Sequence, residues 1–232
     1  MNILLTGSTG FLGGKLMKEL IHGTDHHLYI LARNLEKAER MKAGFQAEDQ
    51  HRLHLITGDI TLPYFGLRPD MVTSLTGKID CIYHSAALVK FDEALRDELF
   101  AINYEGTKHA MELANQLSVR KFFYVSTAYT VGKRHTGVED LYPEDDSYHN
   151  PYEESKVKAE HLVFSYGNDM EVAIFRPSII VGDSKTGEAD SEFTLYGFMR
   201  ALEIFKRRMD RKKKDDRQTT YRVVANPAGT SN

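Results

Sequence analysis

The sequence predicts an α/β protein built on a doubly wound parallel sheet. Three observations predict it. Apolar runs of strand length alternate with longer stretches of helical spacing. The early runs, "NILLT" and "HLYILA", have continuous apolar centres, as strands covered on both faces require. The first strand-to-helix junction carries three glycines, Gly7, Gly10 and Gly13.

The elements follow in order along the chain. "NILLT" is a strand, and "GFLGGKLMKELI" is a helix with its apolar spacing at Leu12, Leu16 and Leu20. "HLYILA" is the second strand, "NLEKAERMKAGF" a polar-faced helix and "RLHLITGD" the third strand. "IDCIYHSAA" is the fourth strand, followed by one long amphipathic helix over "EALRDELFAINYEGTKHAMELANQL". "KFFYVSTA", rich in aromatic and β-branched residues, is the fifth strand. "PYEESKVKAEHLVFSY" opens with Pro151 and then acidic residues, the chemistry of a helix start. "EVAIFRP" is the sixth strand, stopped by Pro177. A helical stretch then runs through "SEFTLYGFMRALEIFKRRMDRKKKDD", and "TTYRVVAN" has strand composition. Residues 1–183 therefore read as one domain, and 184–232 as too little chain for a second core.

The glycines have a chemical reading. A tight turn needs Gly, and a backbone that approaches a pyrophosphate leaves no room for a Cβ. The helix that follows offers free N–H groups and a partial positive charge. The spacing is G-x-x-G-x-x-G rather than the commoner G-x-G-x-x-G. Structural turn glycines are the alternative; their place at the first strand-to-helix turn favours a phosphate site. Gly7, Thr9, Gly10, Phe11, Leu12 and Gly13 are the candidate residues. About twenty residues on, where an NAD site presents an acid to the ribose, the chain reads Ala32-Arg33. An arginine pairs with a 2′-phosphate that an aspartate would repel. The expected cofactor is therefore NADP rather than NAD, against the alternative of a solvated surface arginine at position 33.

Tyr152 and Lys156 lie at i and i+4 on the helix predicted over "PYEESKVKAEHLVFSY", and so share a face. An ammonium one turn from a phenol is expected to lower the phenol's pKa and fit it for proton transfer. Ser126 and Thr127 close the fifth strand at its carboxyl end, where doubly wound folds bind ligands. Either hydroxyl could bond the same substrate oxygen as Tyr152.

Together, "TGSTGFLG", "GDI", "HSAA", "NYEGT", "YVSTAYTVG", "PYEESKVKAE" and "FRPSIIVG" resemble the extended short-chain dehydrogenase/reductases, in family order across residues 1–183. The resemblance implies a Rossmann domain with a catalytic triad, which here falls on Thr127, Tyr152 and Lys156. It also implies Asp59 and Ile60 beside the adenine, Ala86 and Ala87 lining the cofactor cleft, and Pro177 to Ile180 flanking the nicotinamide. Lys156 would also grip the nicotinamide ribose, and Asn103 would order the site. "HSAALVKFDE" followed by "AINYEGT" is most similar to the fatty acyl-CoA and thioester reductase branch. That similarity implies NADPH-dependent hydride transfer to a carbonyl, an acyl thioester or an aldehyde. An acyl carrier protein and a second copy of the chain are then candidate partners. The same scaffold also serves sugar-nucleotide epimerases and dehydratases, dihydroflavonol- or steroid-type ketone reductases, and non-catalytic NADP-binding regulators. Family members continue into a C-terminal substrate region, of which 184–232 reads as an incomplete part.

Composition narrows the remaining classes. A net charge of −3 argues against a general nucleic-acid binder. No apolar run approaches the ~20 residues of a membrane span. "NILL" runs straight into glycines, unlike a signal peptide, so a cytoplasmic location is expected. The single cysteine, Cys81, sits in an apolar run and reads as a small buried hydrophobe. The histidines show no ligand spacing, and no metal is expected. The run "KRRMDRKKKDDR" (206–217) reads as a solvated helix face, or more sharply as a patch for an acidic carrier, a CoA phosphate or an anionic membrane.

Overall fold

The computed structural model describes residues 1–187 and 195–213. Six parallel strands form one sheet: β1 (Asn2–Thr6), β2 (His27–Ala32), β3 (Leu53–Thr57), β4 (Cys81–His84), β5 (Lys121–Val125) and β6 (Glu171–Phe175). Their order is β3-β2-β1-β4-β5-β6, the doubly wound order of dinucleotide-binding sheets. The order reverses between β1 and β4, so the loops after these two strands diverge and leave a crevice at the carboxyl ends.

Strand alternation sorts the two faces. Leu4, Tyr29, Leu31, Ile82, Phe122 and Tyr124 face one core. Ile3, Leu5, Leu28, Ile30 and Cys81 face the other. Register holds the alternation across the sheet, with Leu4 opposite both Tyr29 and Ile82. Cys81 is buried, and burial pushes its thiol up to about 12, the state of an inert apolar side chain. The outermost strand β6 is less covered, and Phe175 at its end is half exposed.

Helices cover both faces: α1 (Phe11–Gly23), α2 (Leu35–Ala43), α3 (Ala47–Gln50), α4 (Pro69–Leu75), α5 (Arg96–Phe100), α6 (Gly106–Gln116) and α7 (Pro151–Ser165). The buried stripe of α1 is Gly13, Met17 and Ile21, one residue on from the expected Leu12, Leu16 and Leu20. The cause is Gly13: a Cβ there would overlap the Gly7 carbonyl, so the helix rests on the turn at its glycine. The one long helix expected after β4 is instead α5 and α6, joined by a π turn at Ala101–Glu105. The extra residue of that turn leaves the apolar spacing almost intact, so the sequence shows no break. Helices α3 and α4 were not foreseen, because α3 buries nothing and α4 only Leu75.

The chain divides into two compact units, Met1–Ile180 and the residues from Val181 on. The second contains α8 (Leu195–Lys213), with Met199, Leu202, Ile204 and Phe205 exposed and Arg207 paired with Glu203. The basic run 206–217 begins on α8; its residues from 214 on, and "TTYRVVAN", lie outside the described residues. Among the described residues, no helix is long and apolar enough to cross a membrane, and no group of three or more metal-ligating side chains occurs.

Candidate active site

The crevice opens on the glycine turn. Gly7 has φ +75°, and a Cβ there would lie 2.6 Å from the Ala86 nitrogen. Both facts demand glycine. The Gly10 N–H donates to the Gly7 carbonyl at 2.9 Å and closes the turn. Gly10 then caps α1 without a side-chain bond, so the first-turn N–H groups stay available to an anion.

A cavity of about 390 Å³ lies over this turn. Of the expected cofactor residues, Gly7, Thr9, Gly10, Arg33, Ile60, Ala86 and Ala87 line it. Phe11, Leu12 and Gly13 form the start of α1 just behind. Asp59 is not part of the wall; its Oδ1 accepts from the Thr61 N–H and hydroxyl, each at 2.9 Å, and Thr61 takes the wall position. Lys37 joins Arg33 at the lining, its Nζ donating to the Thr9 carbonyl at 3.2 Å, and no lining residue is acidic. The sequence hinted at Lys37 only as a lysine in the first turn of α2, where a cation is unfavourable without an anionic partner. A cradle that excludes Cβ atoms, a free helix start and two cations fit the phosphates of a dinucleotide.

A hydrogen-bonded chain, unforeseen from the sequence, holds the crevice floor. His84 is fully buried; its Nδ1 lies 2.8 Å from Thr6 Oγ1 and its Nε2 3.1 Å from Thr107 Oγ1. Thr107 Oγ1 donates to the Asn103 carbonyl at 2.7 Å, so it accepts from His84 Nε2–H, and Nδ1 accepts from Thr6. Burial pulls the His84 pKa down to about 3, which keeps the ring neutral as that pattern requires. Asn103, in the π turn, grips Leu88 by both backbone groups, at 2.8 and 3.0 Å, and bonds Ser155 at 3.1 Å. It therefore orders the loop after β4 against α7 and does not itself line the cavity.

Thr127 follows β5 and caps a short 3-10 turn, accepting from the Tyr129 N–H at 3.2 Å. Asn150 caps α7 through the Glu153 N–H at 3.0 Å, and Glu153 returns a bond to the His149 N–H at 2.9 Å. Tyr152 and Lys156 are thus fixed on the first two turns of α7. Both are buried, at 6% and 1% exposure. Lys156 Nζ donates to the Val125 carbonyl at 2.7 Å and sits 4.2 Å from the centre of the Tyr124 ring. Burial lowers its pKa to about 7, opposed by the Glu160 charge. Burial also pushes Tyr152 up to about 12; the Thr127 hydroxyl bonds to it and pulls the other way. The expected lowering of the Tyr152 pKa by Lys156 is therefore corrected: desolvation dominates, and Thr127 rather than the lysine is what opposes it.

Ser126, the other candidate hydroxyl, is buried with no hydrogen-bond partner among the described residues. The Pro177 carbonyl accepts from the Ala128 N–H at 2.9 Å, which ties the segment after β6 to the turn after Thr127, while Ile180 is exposed. Glu160, fully buried one turn beyond Lys156, holds Arg176 by two bonds of 2.9 and 2.6 Å. Arg176 also bonds the Asp140 carbonyl at 2.7 Å. Neither partner of this pair was singled out from the sequence; "FRP" marks the arginine, but nothing local marks its acid.

Comparisons with known proteins agree with this fold. The profile of the male sterility protein family, an NAD-binding family, matches residues 5–225. A putative fatty acyl-CoA reductase of Drosophila melanogaster is 30% identical over 224 residues, covering 78% of this chain and 41% of that protein. The solved terminal R domain of the myxalamid PKS-NRPS biosynthetic pathway is 31% identical with a TM-score of 0.71, covering 83% of this chain and 52% of that one. A thiolation-reductase di-domain from an archaeal non-ribosomal peptide synthetase is 25% identical with a TM-score of 0.69, covering 89% and 47%. The chain thus spans about half the length of these relatives, or less. On the strength of a profile match over most of its length, the chain belongs to the male sterility protein family, in the fatty acyl-CoA and thioester reductase branch of the extended short-chain dehydrogenase/reductases.

Proposed function

We propose that this chain is the cofactor-binding and catalytic part of an NADPH-dependent reductase acting on an acyl thioester, carried by CoA or a carrier protein, or on an aldehyde. The observation that carries the reading is the meeting of two features at the carboxyl edge of one sheet. One is a Cβ-free cradle flanked by Arg33 and Lys37 with no acid. The other is the buried Thr127, Tyr152 and Lys156 group. The relatives, a fatty acyl-CoA reductase and a thiolation-reductase di-domain by name, support the thioester and the carrier partner.

In this reading the glycine turn holds the pyrophosphate and Arg33 with Lys37 holds the 2′-phosphate. Reduced nicotinamide supplies the hydride when bound. Thr127 and Tyr152 hold the substrate carbonyl oxygen, and Tyr152 protonates the alkoxide as charge develops there. Lys156, already desolvated, turns from the Val125 carbonyl to the ribose hydroxyls. With a thioester, the hemithioacetal then collapses to the aldehyde and releases the thiol.

The test is cofactor consumption by the purified chain with octanoyl-CoA, octanal and UDP-glucose, each against NADPH and NADH. Oxidation of NADPH with the octanoyl or octanal substrate alone is the expected result. Tightly retained NAD released on denaturation, with no NADPH oxidation, contradicts the proposal and points to the epimerase chemistry of the same scaffold.

A further inference from the structure

The segment between β4 and α5 is pinned at two points. Asn103 holds Leu88 by both backbone groups, and the Asp92 carboxylate accepts from the Ala94 N–H at 3.0 Å. Between the pins, Val89 and Phe91 stand exposed, Phe91 at 42%. A phenyl ring left in water forgoes the burial that favours it. Phe91 lies across two other rings, edge-on to Tyr152 at 5.7 Å between centroids and to Tyr129 at 6.1 Å. Such edge contacts are favourable but weak. Tyr152, at the mouth of the sheet, is nonetheless only 6% exposed. Its hydroxyl meets Thr127 from the end of β5, and the phenols of Tyr129 and Tyr124 are its ionisable neighbours. Phe91 is the exposed ring of this group, held in place by ring contacts.

We propose that Phe91 is a movable cover over Tyr152: in the free protein its ring keeps water from the Tyr152 hydroxyl, and on substrate entry it swings aside and packs against the apolar carbons beside the reacting carbonyl. This rests on the reading of Tyr152 as the proton donor. A cover made of an apolar ring on a pinned loop can give way without disturbing the fold, since Asn103 and Asp92 hold the loop on either side. The exposed ring, with Val89 beside it, offers an alkyl or aryl chain a contact and offers a sugar no hydrogen bond.

Two measurements test it. The first is nitration by tetranitromethane, read residue by residue in peptides. Tyr64 is exposed at 42% and lies on a separate turn, so it serves as the internal reference. In the native chain Tyr152 is expected to react slowly relative to Tyr64. In Phe91→Ala its rate should rise about tenfold, and in Phe91→Leu, which keeps an apolar bulk, it should stay near native, with Tyr64 unchanged in both. Equal Tyr152 rates in native and Phe91→Ala protein overturn the cover, whatever the activity. The second is NADPH oxidation with octanal and with propanal. Phe91→Ala should raise KM about tenfold for octanal and less than about twofold for propanal, with Phe91→Leu between. An equal change for both aldehydes overturns the substrate contact. A native chain that reduces neither aldehyde nor octanoyl-CoA overturns the reductase reading, and the nitration result still decides the cover.

Discussion

Tyr152 and Lys156 share one face of α7, and burial has moved both away from their ordinary ionisation, in opposite senses. A lysine whose folded pKa lies near 7 binds fewer protons in the folded chain than in the unfolded chain up to its ordinary 10.5. Stability from this site therefore rises with pH between about 7 and 10.5. In denaturant melts the stability of the native chain relative to Lys156→Met should rise across that window, while the raised Cys81 thiol and Tyr152 phenol act alike in both proteins near its upper end; a difference that does not change with pH would contradict the burial argument. Arg33 belongs to the same scale. Arg33→Asp places an anion where a 2′-phosphate would sit, so NADPH affinity should fall at least about tenfold while NADH affinity holds or improves. Equal NADPH binding in both proteins, measured by titration calorimetry, would remove the case for NADP. Tyr152, Lys156 and Arg33 were legible because each sits at a fixed distance from a strand end. Lys37, His84 and Phe91 were not, because what matters is the partner that folding brings to them from elsewhere in the chain: Thr9, Thr6 with Thr107, and Tyr152.

Helix α7 carries the most information per residue. Pro151, the Asn150 cap and the acidic first turn announced its start, and the i, i+4 face was readable at once. What the spacing could not announce is that Glu160 on the same helix closes on Arg176 after β6. That pair fastens α7, the end of β6 and the Asp140 carbonyl to one another. Glu160→Gln removes the charge but keeps the shape, leaving a partly buried guanidinium without its counter-ion. A stability loss of about 3–5 kcal/mol is expected in urea melts. A loss below about 1 kcal/mol would mean that the pair is solvated and contributes little. The α5–α6 junction makes the opposite point. Its π turn hides within an apolar period that continues on both sides, yet it places Asn103 under Leu88 and so sets the loop that carries Phe91.

Across the whole molecule, the site is a consequence of strand order. Reversal between β1 and β4 opens the crevice, and β5, with α7 behind it, brings a second set of side chains to the same edge. Alternation of strand and helix made the parallel sheet legible, and the glycine spacing identified β1 as the strand beside the crevice. The shift in the α1 stripe was hidden because the approach of Gly13 to the Gly7 backbone sets it, and the short helices α3 and α4 because they bury almost no apolar surface. The central claim joins the two halves of the site: what binds over the glycine turn delivers hydride to what Tyr152 holds. It is tested most directly with NADPH deuterated at its transferable position and octanoyl-CoA as substrate. The account predicts deuterium on the carbonyl carbon of the aldehyde or alcohol product, and no product from Tyr152→Phe although that variant still binds NADPH. Product without deuterium, or turnover by Tyr152→Phe at the native rate, would contradict it.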